Sequence, residues 1–251
     1  MNRHAMLLAL VAALAGCGGP EEVPTTTTGK PATVVDAAAT GTITGAVRFT
    51  GTPPPMATLP LASVTGCGEQ YQGPVVSGDA LVHDGLVENA FVYVKDGLGD
   101  PSFPVPPNPV VIDQRGCLYH PRVVGALTHQ EVKFINSDAL LHNVHGKPEK
   151  SSAWNFSMPV KGSERTVRLD APEVMVSTRC DVHPWMQAYI GVLDHPYFQV
   201  TGVDGRFALE HVPPGTYTIA AWHEKFGTQE TKVTLEPHGS ADVTLTFAAK
   251  P

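Results

Sequence analysis

Three residues that bind soft metal ions share one short run, Cys180-Asp181-Val182-His183-Pro184-Trp185-Met186, with C-x2-H-x2-M spacing. Upstream, Asn136-Ser137-Asp138-Ala139-Leu140-Leu141-His142-Asn143-Val144-His145 adds imidazoles behind a predicted strand. A thiolate, two imidazoles and a thioether suit one copper ion that changes oxidation state, because soft sulfur favours Cu(I) and imidazole accepts both states. In this reading His142, Cys180 and His183 are the stronger ligands and Met186 is the weak axial one. Three donors come from one loop and the fourth from a neighbouring strand end, so little has to rearrange when an electron moves. The pattern therefore reads as an electron carrier and not as an enzyme.

Other uses of the same residues fit less well. Cys180 could be a buried structural thiol and the histidines ordinary surface residues, but their joint spacing argues against coincidence. A binuclear copper centre needs a second cysteine in the loop, and zinc does not favour a thioether such as Met186. A nucleophilic Cys180 paired with His183 would lack an identifiable orienting acid and oxyanion site. His145 is the rival of His142, and since positions three apart on a strand face opposite sides, one of the two points inward. Met158, in Phe156-Ser157-Met158-Pro159, fills a core or covers the site. Trp222-His223-Glu224 reads as a core tryptophan followed by two solvated residues.

The elements that must position these groups are short. Of 251 residues, 24 are Gly and 23 Pro, while charged residues make only 16% against about 25% in an average domain. Turns are abundant and long charged helices are not. Period-two patterning predicts strands at residues 42–49, 87–94, 110–112, 122–124, 131–135, 165–169, 174–178, 188–193, 218–222 and 242–247. The Pro-rich stretch 96–109 reads as a surface loop. The fold class is therefore all-β, with sandwich architecture. A formal charge of −7 argues against a nucleic-acid partner.

The N-terminus sets the compartment. Arg3 and His4 precede an apolar run, Ala5 to Ala15, that closes on Leu14-Ala15-Gly16-Cys17. The run is shorter than the ~20 residues a bilayer span needs. The ending resembles the lipobox of bacterial lipoproteins, which implies cleavage before Cys17, lipidation of its sulfur and a membrane anchor through that lipid alone. Gly18 is compatible with sorting to the outer membrane, facing the periplasm. Residues 18–40, rich in Thr, Pro, Gly and Ala, read as a flexible tether reaching roughly 25 Å. With Cys17 lipidated and Cys180 on the metal, Cys67 and Cys117 are left to pair as a disulfide in an oxidising compartment.

Two resemblances extend this reading. Residues 110–196 resemble a cupredoxin of the plastocyanin and amicyanin group, through the Cys180, His183 and Met186 spacing and through His142-Asn143. That resemblance implies a Greek-key sandwich, one type 1 (blue) copper per chain bound by His142, Cys180, His183 and Met186, and Asn143 supporting the ligands. It also implies an electron port at an exposed His183, with Pro184 and Trp185 as the patch that meets a redox protein partner. Residues 197–251, with Asp204-Gly205-Arg206-Phe207 and Pro214-Gly215-Thr216-Tyr217, resemble the carboxypeptidase regulatory-like, transthyretin-like domain. Its opening strands could lie in the N-terminal β region, residues 41–109, which makes 110–196 an insertion. Two domains in tandem are the simpler arrangement. The functional alternatives are a copper-handling lipoprotein without redox traffic and a structural or ligand-binding β lipoprotein; oligomeric state leaves no mark in the sequence.

Overall fold

A computed structural model of the chain describes residues 39–100 and 102–249. The expected signal segment, Cys17 and the tether up to residue 38 lie outside the described residues. The N-terminal stretch gives β1 (Gly41–Thr50), β2 (Val82–His83), β3 (Leu86–Val87) and β4 (Phe91–Asp96). The middle gives β5 (Val110–Arg115), β6 (Leu118–His120), β7 (Val123–Leu127), β8 (Glu131–Asn136), β9 (His142–Lys147), β10 (Trp154–Met158), β11 (Glu164–Arg168), β12 (Glu173–Arg179) and β13 (Gln187–Leu193). The C-terminal stretch gives β14 (Phe198–Val200), β15 (Arg206–Val212), β16 (Gly215–His223), β17 (Gly227–Leu235) and β18 (Ser240–Ala248). The described chain is all-β, with only two three-residue 3-10 turns, Leu61–Ser63 and Gly68–Gln70.

Strand pairing sorts these elements into four sheets. One follows the order β15-β1-β3-β2 with β18 parallel to β1, and another runs β14-β4-β16-β17. They share a core that includes Ile43, Val47, Val92, Ile219, Leu245 and Phe247. The remaining sheets, β10-β9-β12-β13-β7 and β11-β8-β5-β6, enclose a second core that includes Ile112, Phe134, Val144, Met158 and Ile190. Every strand from β5 to β13 pairs within these last two sheets, whereas β14 and β15 return to β4 and β1.

The expected strand at 87–94 divides. Asn89 takes a positive φ of 63°, a conformation that Asn tolerates better than most residues, so β3 and β4 fall in different sheets. The N-terminal β region divides too, since Leu61 and Cys67 belong to the second core. A strap of residues 57–77, closed by hydrogen bonds from Leu59 N–H to Val75 C=O and from Ser77 N–H to Ala57 C=O, leaves the first sandwich to pack on the second.

A third apolar cluster joins the two sandwiches, with Phe91, Tyr93 and Ala220 meeting Val123 and Leu193. Gly125 and Gly191 are register partners across β7 and β13. A Cβ on Gly191 would lie 2.4 Å from the Phe91 ring and one on Gly125 2.2 Å from the Phe198 ring, so only glycine lets these rings reach the sheet. The Trp222-His223-Glu224 triplet is not solvated. Trp222 packs on Tyr189, His223 is buried, and the Glu224 carboxylate receives Arg122 and the Tyr189 hydroxyl. The seam shields groups that look exposed from their sequence neighbours.

Candidate metal centre

β9 alternates buried and partly exposed residues, with His142, Val144 and Gly146 facing the core. His145 therefore faces outward, where its Nδ1 pairs with Asp181 at 2.9 Å. The loop between β12 and β13 is closed by Cys180 N–H donating to Met186 C=O at 3.2 Å and Met186 N–H to His183 C=O at 2.9 Å. These two bonds turn Cys180, His183 and Met186 into one compact hairpin end, each side chain running inward.

Donor atoms of His142, Cys180 and His183 all lie within 4.8 Å of one another. His142 Nδ1 and His183 Nδ1 are 3.0 Å apart, and Cys180 Sγ is 3.7 Å from His183 Nδ1. His142 and Met186 are 0% exposed, Cys180 1% and His183 3%. Cys180 is the free cysteine among the described residues. Met158 is also buried and sits directly opposite His142 across β9 and β10, on the same face of the sheet.

The ligand strand is held from several sides. Asn143 N–H donates to Cys180 Sγ at 3.4 Å, and Asp181 N–H donates to Asn143 Oδ1 at 3.0 Å. The Asn143 carbonyl accepts the Tyr119 hydroxyl at 2.8 Å and the Gln114 amide at 3.1 Å. Beyond His142, Nε2 meets Asp138 Oδ2 at 2.9 Å. Trp185 Nε1 donates to Cys117 C=O at 3.0 Å, and its ring centroid lies 5.4 Å from that of His183.

Electrostatics within the cluster favour a charged sulfur. Burial alone would raise the Cys180 thiol, but His142 in its doubly protonated form and hydrogen bonds from the Asn143, His183 and Val182 main chain bring it below the ordinary thiol value. Burial works against a charged His142 as well, yet Asp138 and Cys180 raise it. His183 moves the other way, lowered by burial and by the charge of His142. A thiolate, two convergent imidazole nitrogens and a buried thioether in the closing loop form a soft donor set that fits copper.

No family model matches the chain, and no curated protein matches it in sequence. Solved structures do match in part. A copper-containing nitrite reductase from Thermus scotoductus SA-01 is 20% identical with a TM-score of 0.31, covering 39% of this chain and 25% of that one. This chain thus spans a quarter of the reductase. A purple cupredoxin from Nitrosopumilus maritimus is 17% identical with a TM-score of 0.28, covering 33% of this chain and 98% of that one. A variant of amicyanin in its Cu(I) form is 18% identical with a TM-score of 0.31, covering 40% of this chain and 97% of that one.

One expected feature is overturned. The resemblance to cupredoxins implied an exposed His183, whereas the strap over residues 57–77 helps bury it. Cys67 and Cys117 are joined in a disulfide, and a nitrogen of His183 lies within 4.8 Å of both sulfurs. The exposed apolar side chains nearby in sequence are Leu141 at 48% and Val182 at 47%, each next to a proposed ligand. Neither Asp138 nor the strap stood out in the sequence. An aspartate in a turn and an irregular connection without apolar period are common, and their roles arise from contacts far along the chain.

Proposed function

We propose that this chain is a lipid-anchored protein with one type 1 copper, carrying single electrons between redox proteins in the periplasm. The observation that carries the proposal is the burial of His142, Cys180 and His183 donor atoms within 4.8 Å of one another, with Met186 closing the same loop. Copper bound there would supply a one-electron Cu(II)/Cu(I) couple. The residues supply the rest. Cys180 offers a thiolate already stabilised by main-chain donors, and the imidazoles offer nitrogens fixed by the surrounding strands. Met186 would offer a soft thioether sulfur.

Burial favours electron transfer over copper handling. A protein that passes its metal on needs ligands an acceptor can reach, and here all four are nearly closed to solvent. Leu141, Val182, Pro184 and Trp185 are the surface that would meet a redox partner, through the small interface such encounters use. In this reading the anchor at Cys17 and the segment 18–40 hold the folded part near the outer membrane. Strand pairing supports the further proposal that residues 110–196 are inserted into a transthyretin-like domain built from the flanking strands.

Protein-film voltammetry of the copper-loaded full chain tests the function. A reversible one-electron wave with fast exchange is expected, and Met186→Leu should retain copper while shifting the midpoint. Sluggish or irreversible electron exchange together with ready surrender of copper to a chelator would instead favour copper handling.

A further inference from the structure

The geometry assigns Asp138 a role beyond its turn: we propose that its carboxylate sets His142 as a donor through Nδ1 and biases the site toward Cu(II). This rests on the copper reading above and extends it to a residue outside the donor set.

Asp138 is 4% exposed, a costly place for a carboxylate unless its oxygens are satisfied. Gly116 N–H donates to Oδ1 and Cys117 N–H to Oδ2, each at 2.8 Å, and His142 Nε2 meets Oδ2 at 2.9 Å. Two of these three donors are uncharged amides, so they hold the anion in place without cancelling its charge. The turn that carries Asp138 is itself fixed. Asp138 N–H donates to Asn136 Oδ1 at 2.9 Å, while the Asn136 amide reaches Leu140 C=O at 2.8 Å and Met158 C=O at 2.9 Å.

The consequence for His142 follows from imidazole chemistry. A carboxylate on Nε2 keeps the hydrogen there and leaves the Nδ1 lone pair free, and Nδ1 is the atom that faces His183. The bond also makes the imidazole a stronger donor, and the fixed negative charge, one ring away, stabilises the more positive metal state. Cys117 supports both halves of the site, giving its amide to Asp138, its carbonyl to Trp185 and its sulfur to Cys67. Asp138 is therefore a positioning residue that acts through His142.

Two measurements on the full chain test this. Nitrogen-15 NMR of the metal-free protein, at a pH above the imidazole range, should find the His142 hydrogen on Nε2. Asp138→Leu should give a mixture of tautomers. Redox potentiometry of the copper-loaded chain should then show that Asp138→Asn, which keeps an accepting oxygen and loses the charge, weakens the preference for Cu(II) over Cu(I) about tenfold. That loss is a rise of about 59 mV in a one-electron midpoint, with the visible band retained. A native chain with the hydrogen on Nδ1, or an Asp138→Asn midpoint equal to the native one, overturns the proposal. The NMR arm uses the unaltered chain and no metal, so it stands even where a variant folds poorly. If the native chain takes up no copper while Nε2 carries the hydrogen, the copper reading fails and the positioning role stands.

Discussion

The main-chain N–H of Asn143 points at the sulfur of Cys180 across 3.4 Å, while the Asn143 side chain takes the N–H of Asp181 at 3.0 Å. One residue therefore ties the strand that carries His142 to the loop that carries the other three proposed ligands. The Asn143 side-chain Nδ2 also donates to Phe156 C=O at 3.3 Å, which adds the neighbouring strand.

Asn143→Ala removes the side-chain part of this tie. A hydrogen bond contributes about 1 kcal/mol net, more when a buried partner is stranded, so a loss of about 2 kcal/mol in urea unfolding is expected. Copper affinity should fall by about tenfold or more, as for other residues that orient ligands. An unchanged affinity in a folded variant would separate Asn143 from the site.

The disulfide supports a different prediction. Closing 50 residues between Cys67 and Cys117 restricts the unfolded chain by about 4 kcal/mol in the chain-entropy description. The double variant Cys67→Ser/Cys117→Ser should lose stability of that order. It should also loosen the strap, so that His183 reacts faster with an imidazole-acylating reagent. Equal reaction rates in native and variant chains would show that the strap does not guard the site.

Acid should weaken the first sandwich through His223. This residue is 1% exposed, stacks on Phe226 at 4.3 Å and accepts Lys225 N–H through Nδ1. Burial pushes its pKa down to about 4, against about 6.5 in an unfolded chain. Between those values the unfolded chain binds a proton that the native chain refuses, so stability falls as pH drops through this window and the loss is complete below about 4. The shift corresponds to about 3 kcal/mol. His195, also lowered to about 4 by burial, contributes with the same sign. Denaturant midpoints of His223→Leu should depend less on pH from 7 to 4 than those of the native chain, and parallel curves would contradict the assignment.

Across the seam, the Arg122 guanidinium and the Glu224 carboxylate form a two-pronged ion pair, and the Tyr189 hydroxyl donates to the same carboxylate. Glu224→Ala leaves a partly buried cation unpaired, and a loss of about 2 kcal/mol is expected, below the ~3–5 kcal/mol typical of a fully buried pair. The apolar double replacement Arg122→Met/Glu224→Leu should recover much of it. If the single variant cost as little as a surface change, the seam would have to be open in solution.

Period-two patterning located most of the strands because each buries one face, as in β8, where Val132, Phe134 and Asn136 alternate with less buried residues. The spacing of Cys180, His183 and Met186 was legible because a closed loop brings near neighbours together. His142 stood apart from His145 by the same alternation. What escaped the sequence depends on distant partners: Asp138 matters because of Gly116 and Cys117, and Glu224 because of Arg122. The edge strand β6 is only three residues long and β17 leaves most of its side chains exposed, so no apolar period marked them, whereas β10 does alternate, with Trp154, Phe156 and Met158 on one face. The solvated appearance of His223 came from its sequence neighbours, whereas its environment is made by Phe226 and Phe247.

The central claim is that His142, Cys180, His183 and Met186 assemble one copper site. Its most direct test is a combined optical and electron paramagnetic resonance titration of the full chain with Cu(II), beside Cys180→Ser. An intense visible charge-transfer band saturating at one copper per chain is expected, bleached by a mild reductant, restored by an oxidant and absent in Cys180→Ser. A pale tetragonal copper signal unaffected by Cys180→Ser, or no stoichiometric uptake, would contradict the claim.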